Sequence, residues 1–105
     1  MANKVNEAII KMYEARMALN EALKEANKEL ELAEIDMEHA NWYMNRLETE
    51  YSIEKDEAIG LKLEKAYTDN DDAIEAYEMA QQSVDIINEA IKKLNSIETD
   101  IYYFA

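Results

Sequence analysis

Apolar residues recur along the chain in alternating steps of four and three. The first series runs Val5, Ile9, Met12, Arg16, Leu19, Leu23, Ala26, Leu30, Ala33, Met37, Ala40, Met44, Leu47, Tyr51, and only Arg16 breaks its apolar character. Such spacing lines one seam of a helix with side chains that pack in coiled-coil fashion against a neighbouring helix. Carried past Tyr51, the same steps put Glu54 and Lys65 into the seam. A second series, one residue out of phase, replaces it: Ile59, Leu63, Ala66, Asn70, Ala73, Tyr77, Ala80, Val84, Ile87, Ile91, Leu94, Glu98, Ile101. Ala, Leu, Glu, Lys and Met fill both stretches and favour helix.

The slip between the two series predicts a chain reversal. One unbroken helix of this length would run about 150 Å and need partner chains along its whole seam, whereas a hairpin buries its own. The expected fold is all-α, an antiparallel two-helix hairpin with coiled-coil packing. It forms a single helical domain over residues 1–105, with a helix at 3–49, a turn at about 50–54 and a helix at 55–103. Ser52 is the expected cap of the second helix, with Glu54 in its first turn. Arms of this length imply a hairpin of roughly 70 Å.

Antiparallel seams pair residues whose numbers sum to a constant. A sum of 103 puts the turn at Tyr51 and Ser52 and sets large residues against small ones, such as Leu23 on Ala80, Leu30 on Ala73 and Met37 on Ala66. A sum of 110, one heptad away, pairs Ile9 with Ile101 and Leu47 with Leu63. Both registers remain open on sequence. The run Thr68, Asp69, Asn70, Asp71, Asp72 is the strongest conventional break signal. Because the phase continues through it, a kink or local fraying is expected there. A full break near Asp69–Asp72 would give a three-helix bundle instead. Arg16 and Asn70 are polar residues at seam positions. The simpler reading of Arg16 lays its stem on the seam and its guanidinium in water. The sharper one has both residues setting register, since a polar seam residue penalises wrong alignments.

Composition narrows the functional classes. The 105 residues make one small domain, with 11 basic and 24 acidic side chains and a net charge of −13. That charge argues against direct binding to DNA, RNA or an anionic membrane. Proline and cysteine are absent, and Gly60 is the one glycine. There is accordingly no disulfide, thiolate site or cysteine nucleophile. The opening MANKVNEAIIKM lacks the apolar core of a secretion signal, and no stretch reaches the roughly 18 apolar residues of a membrane span. A soluble protein is expected, cytoplasmic rather than secreted. The charge is uneven: residues 1–28 sum to +1, residues 29–60 to −8 and residues 61–105 to −6.

Little in the chain suggests catalysis. Asp36 and His39 share a helix face at the spacing of di-iron bundle ligands. Such a site needs a second histidine and an inward-facing setting, and this chain has one histidine, off the seam. His39 is expected in solvent. No nucleophile, phosphate-loop or zinc pattern occurs, and a two-helix hairpin offers no cleft for acid–base chemistry. No catalytic residue, metal or cofactor is expected, and the chain is read as a non-enzyme.

A second apolar stripe, Leu32, Ile35, His39 and Trp42, lies on the outer face of the first helix. Tyr43 borders the seam, and Leu61, Tyr67 and Ile74 are off-seam in the second helix. A stripe ending in tryptophan marks a contact surface more often than a lone exposed residue does. Around it run carboxylates spaced to share helix faces, about 6 Å apart at i and i+4. The expected partner-binding residues are Leu32, Glu34, Ile35, Glu38, Trp42, Tyr43, Glu48, Glu50, Glu54 and Glu57. Asp71, Asp72, Glu75 and Glu78 form a further acidic track. Carboxylates at this pitch approximate the spacing of nucleic-acid phosphates.

In length, in its near-equal helical halves and in carrying a tryptophan before the turn, the chain resembles the small secreted Trp-X-Gly helical hairpins. That resemblance implies a self-associating secretion partner or scaffold. Trp42-Tyr43-Met44 lacks the glycine, and Tyr67 and Asp71 match the Tyr-x-x-x-Asp export spacing away from the family's C-terminal place. In overall character the chain is also similar to small acidic phage inhibitors that mimic nucleic acid. The leading expectation is a small acidic inhibitor that occupies a basic, nucleic-acid-binding surface of a protein partner. The alternatives are homo-oligomerisation and a purely solubilising charge.

Overall fold

A computed structural model describes residues 2–104, and the side chains of residues 3–101. It shows an all-α helical hairpin of two long helices packed on each other. α1 spans Ala2–Ile53 and α2 spans Glu57–Phe104. α2 is helical at every residue from Thr68 to Asp72, so the three-helix alternative fails and no break or fraying occurs there. The Thr68 hydroxyl donates to the Glu64 carbonyl within the helix, Asp69, Asp71 and Asp72 point to solvent, and Asn70 holds the seam. The run of turn-forming residues is thus absorbed by an outer face that water can solvate.

The reversal occupies residues 54–56 rather than 50–54, and α1 runs on past 49 to Ile53. Thr49 and Ser52 do not end α1, because their hydroxyls donate back to the Asn45 and Thr49 carbonyls. Nor does Ser52 cap α2. Asp56 does: its Oδ1 accepts the Ala58 amide at 3.0 Å, and its carbonyl accepts the Gly60 amide, the first turn of α2. The Asp56 amide in turn donates to the Glu54 carbonyl at 2.8 Å, which tightens the connection. Among the described residues no backbone has positive φ, so this short link forms without a left-handed residue.

Contacts divide the hairpin into two compact units, one of residues 2–28 with 82–104 and one of Glu29–Gln81. In the second, Leu47, Leu63 and Ala66 are buried, and Met44, Tyr51 and Ile59 pack around them. Leu47 with Leu63, Met44 with Ala66 and Tyr51 with Ile59 all sum to 110, which settles the register against 103. Gly60 lies under the Tyr51 ring, where an added Cβ would come within 3.2 Å of it. In the first unit Ala26 and Val84, whose numbers also sum to 110, are both buried. Ile9, Met12, Tyr13, Arg16, Glu98 and Ile101 line a small recess in the same register.

Every seam position from Ile9 to Tyr51 and from Ile59 to Ile101 is buried or half-buried. Val5, at the start of the series, is exposed. Yet among the described residues only Ala26, Leu47, Leu63, Ala66 and Val84 are buried outright, because a lone helix pair covers a seam from one side only. The chain exposes 8202 Å², against about 6,100 Å² for a compact monomer of its mass.

The polar seam residues are handled differently. Arg16 forms an ion pair with Glu98, and its Nη2 donates to Asn95 Oδ1 at 2.9 Å. Arg16 is therefore not simply extended into water. In the observed register Arg16 and Glu98 are about 6 Å apart along the helix axis, whereas the 103 register would separate them by about 16 Å. Asn70 is half-buried, and its Oδ1 has no hydrogen-bond partner.

Candidate protein-binding face

The charge follows the division into units. Glu29–Gln81 carries sixteen acidic side chains against four basic ones, a net −12, so the rest of the chain holds only −1. Nearly all these carboxylates are exposed, Glu48 and Glu50 being half-buried. Helix geometry explains the exposure: the seam takes the apolar positions, leaving the outer faces to Asp and Glu.

On the outside of α1, Leu32 is 62% exposed, Ile35 42% and Trp42 63%, and His39 is exposed beside them. This stripe is uncovered. The Arg46 guanidinium lies 5.6 Å from the centre of the Trp42 ring, a cation–π arrangement, and its Nε donates to Glu50 Oε1 at 3.2 Å. Trp42, Arg46 and Glu50 therefore form one linked array, at steps of four along the helix. The basic member within the acidic surround was missed on sequence, although the i, i+4 spacing of Trp42, Arg46 and Glu50 carried the signal.

The expected binding residues do not gather on one face. Tyr43 and Glu50 border a shallow groove with Arg46, Leu47, Ile59 and Lys62 on one flank of the seam. Glu48 lies on the other flank, where it accepts a hydrogen bond from the Tyr67 hydroxyl. That bond and the nearby carboxylate charge hold the Tyr67 phenol above its usual pKa. Tyr67 shares its flank with a second open groove lined by Tyr51, Gly60, Leu61 and Glu64. Glu34 and Glu38, four residues apart, are exposed on the Glu48 side, while Leu32 tends toward the Tyr43 side. Glu54 is in the connection and Glu57 opens α2. Ile35 and Trp42, a heptad apart, mark the ridge between the two flanks.

Among the described residues no group of three metal-ligating side chains comes together, and no helix is long and apolar enough to cross a membrane. No known protein family, curated protein or solved structure matches the chain. The functional reading therefore rests on these residues alone.

Proposed function

We propose that the chain is a non-enzymatic protein-binding module whose Glu29–Gln81 unit occupies a basic, nucleic-acid-binding surface of a partner protein. The observation that supports this reading is the concentration of net −12 in that unit, on exposed helix faces where carboxylates repeat at about 6 Å. A solubilising charge needs only to be spread over a surface. Here it is confined to one unit, around an exposed Trp42 that has the large rigid area of a binding anchor. The carboxylates would steer association and orientation, and Trp42 would supply the apolar contact.

The test is capture of a partner from the native host on the immobilised chain, followed by competition. Short duplex DNA or RNA should release the captured protein, and release should rise steeply with salt. A partner held equally well with excess nucleic acid present would refute the mimicry reading.

A further inference from the structure

The near-neutral unit, residues 2–28 with 82–104, leaves large apolar side chains in the open along one flank of its seam. On the other flank Arg16 meets Asn95, with Tyr13 beside it. The opposite edge of α1 carries Ala15, Ala18 and Ala22, all exposed. The matching edge of α2 carries Ile86 and Ile97, 64% and 52% exposed, with Ala90 and the exposed Lys93 between them. Among the described residues nothing covers these isoleucines.

The residues of this face are arranged symmetrically. Ala15 and Ala22 lie equally far on either side of the midpoint between residues 18 and 19. Ile86 and Ile97 lie equally far on either side of the midpoint between 91 and 92. The observed register, in which facing residues sum to 110, sets those two midpoints level. Lys11 and Glu25, both exposed at the two ends of the same face, straddle Ala18.

We infer that this face binds a second copy of the chain across a two-fold axis near Ala18, with the α1 helices of the two copies antiparallel. Such an isologous contact brings each group onto its symmetry mate. Ile86 of one protomer meets Ile97 of its partner, and Ile97 meets Ile86. Ala15 meets Ala22 at a point where small side chains allow close helix approach. Lys11 meets Glu25 twice, once at each end. A parallel pairing of the α1 helices would instead set Lys11 on Lys11 and Glu25 on Glu25.

The available area suits a stable dimer. A helix of 27 residues is about 40 Å long and a helix pair about 20 Å wide, giving about 800 Å² per copy, the usual share of a specific interface. Charge favours this unit over the other. It holds −1, whereas two Glu29–Gln81 units would bring −12 against −12. The dimer face and the acidic face proposed above lie in different units, so each can fail without the other.

The experiment is sedimentation equilibrium on the full chain, with helicity followed by circular dichroism. The wild type should be a concentration-dependent dimer in the micromolar range. Ala18→Glu and Ile86→Glu, both at exposed positions, should each raise the dissociation constant at least about tenfold with helicity retained. Lys11→Glu should weaken the dimer several-fold, and adding Glu25→Lys should restore it, because the exchanged pair is again complementary. A chain that stays monomeric at high micromolar concentration would overturn the proposal. So would a dimer indifferent to Ala18→Glu and Ile86→Glu, or a charge exchange that fails to rescue. A dimer lost on Trp42→Ala would move the contact to the other unit and equally overturn it.

Discussion

Replacing Arg16 and Glu98 together with leucine should stabilise the hairpin and loosen its alignment. The Arg16 side chain is 38% exposed and that of Glu98 24%, so solvent screens their attraction. The pair is then worth about 0.5 kcal/mol to folding. Each leucine gained at a half-buried seam position contributes about 1 kcal/mol. Either single variant should come out near neutral, since the added leucine offsets the lost pair and the stranded charge. The double variant should gain about 1.5 kcal/mol, read as a shift in denaturant midpoint at unchanged slope. Register is a separate readout. The chain has no cysteine of its own, so introduced pairs report without background. Leu30→Cys with Ala80→Cys tests the observed sum of 110, and Leu30→Cys with Ala73→Cys tests 103. A one-heptad slip moves the helices past each other by about 10 Å, beyond the roughly 7 Å reach of a disulfide. With Arg16 and Glu98 present only the first pair should close. With both replaced by leucine the second should close as well. A double variant less stable than the wild type, or one that still closes only the first pair, would refute the register role of the ion pair.

Other outcomes follow from the same geometry. Trp42→Ala should change unfolding free energy by no more than about 0.5 kcal/mol, because the ring is 63% exposed on the outer face of α1. The same substitution should weaken a partner complex by about 2 kcal/mol; melting and binding measured on the one variant separate the two effects. Asn70→Leu should raise stability by about 1 kcal/mol by removing a buried oxygen without a partner, and a lower melting temperature would contradict this. The Tyr67 phenol is held above the usual tyrosine range by Glu48. Its contribution to stability is complete below the unfolded value and is lost as pH rises through the higher folded one. Tyr67→Phe should flatten that alkaline decline, and Glu48→Gln should return the Tyr67 ultraviolet titration to the ordinary range.

Much of this architecture is legible in the sequence because a helical seam is a local, repeated signal. The phase slip after Tyr51 marks the reversal, and every position from Ile9 onward in the two series is buried or half-buried. The exact turn is not legible, because Thr49 and Ser52 serve equally as caps and as residues that bond back into their own helix. Asp56, which does the capping, stands among other acids that look the same. The Thr68–Asp72 run misleads for a related reason: residues that favour turns are tolerated in a helix when all but one face water. Register follows from cross-helix partners such as Arg16 and Glu98, whose complementarity emerges only once both series are aligned. On the candidate face, exposure of Leu32, Ile35 and Trp42 follows from the period. Division of the carboxylates between two flanks follows from the same period, read against the partner helix rather than along one.

The confinement of charge to Glu29–Gln81 has a thermodynamic consequence for that unit alone. Sixteen carboxylates against four cations make it a short polyelectrolyte that works against its own folding. Added salt relieves this self-repulsion. The other unit, at −1, has almost none to relieve. Amide hydrogen exchange should therefore slow with ionic strength in residues 29–81 and stay nearly constant elsewhere. The two units share helices yet open locally under different rules, so the acidic one is loosest in dilute buffer and tightens as soon as counterions, free or fixed on another molecule, gather around it.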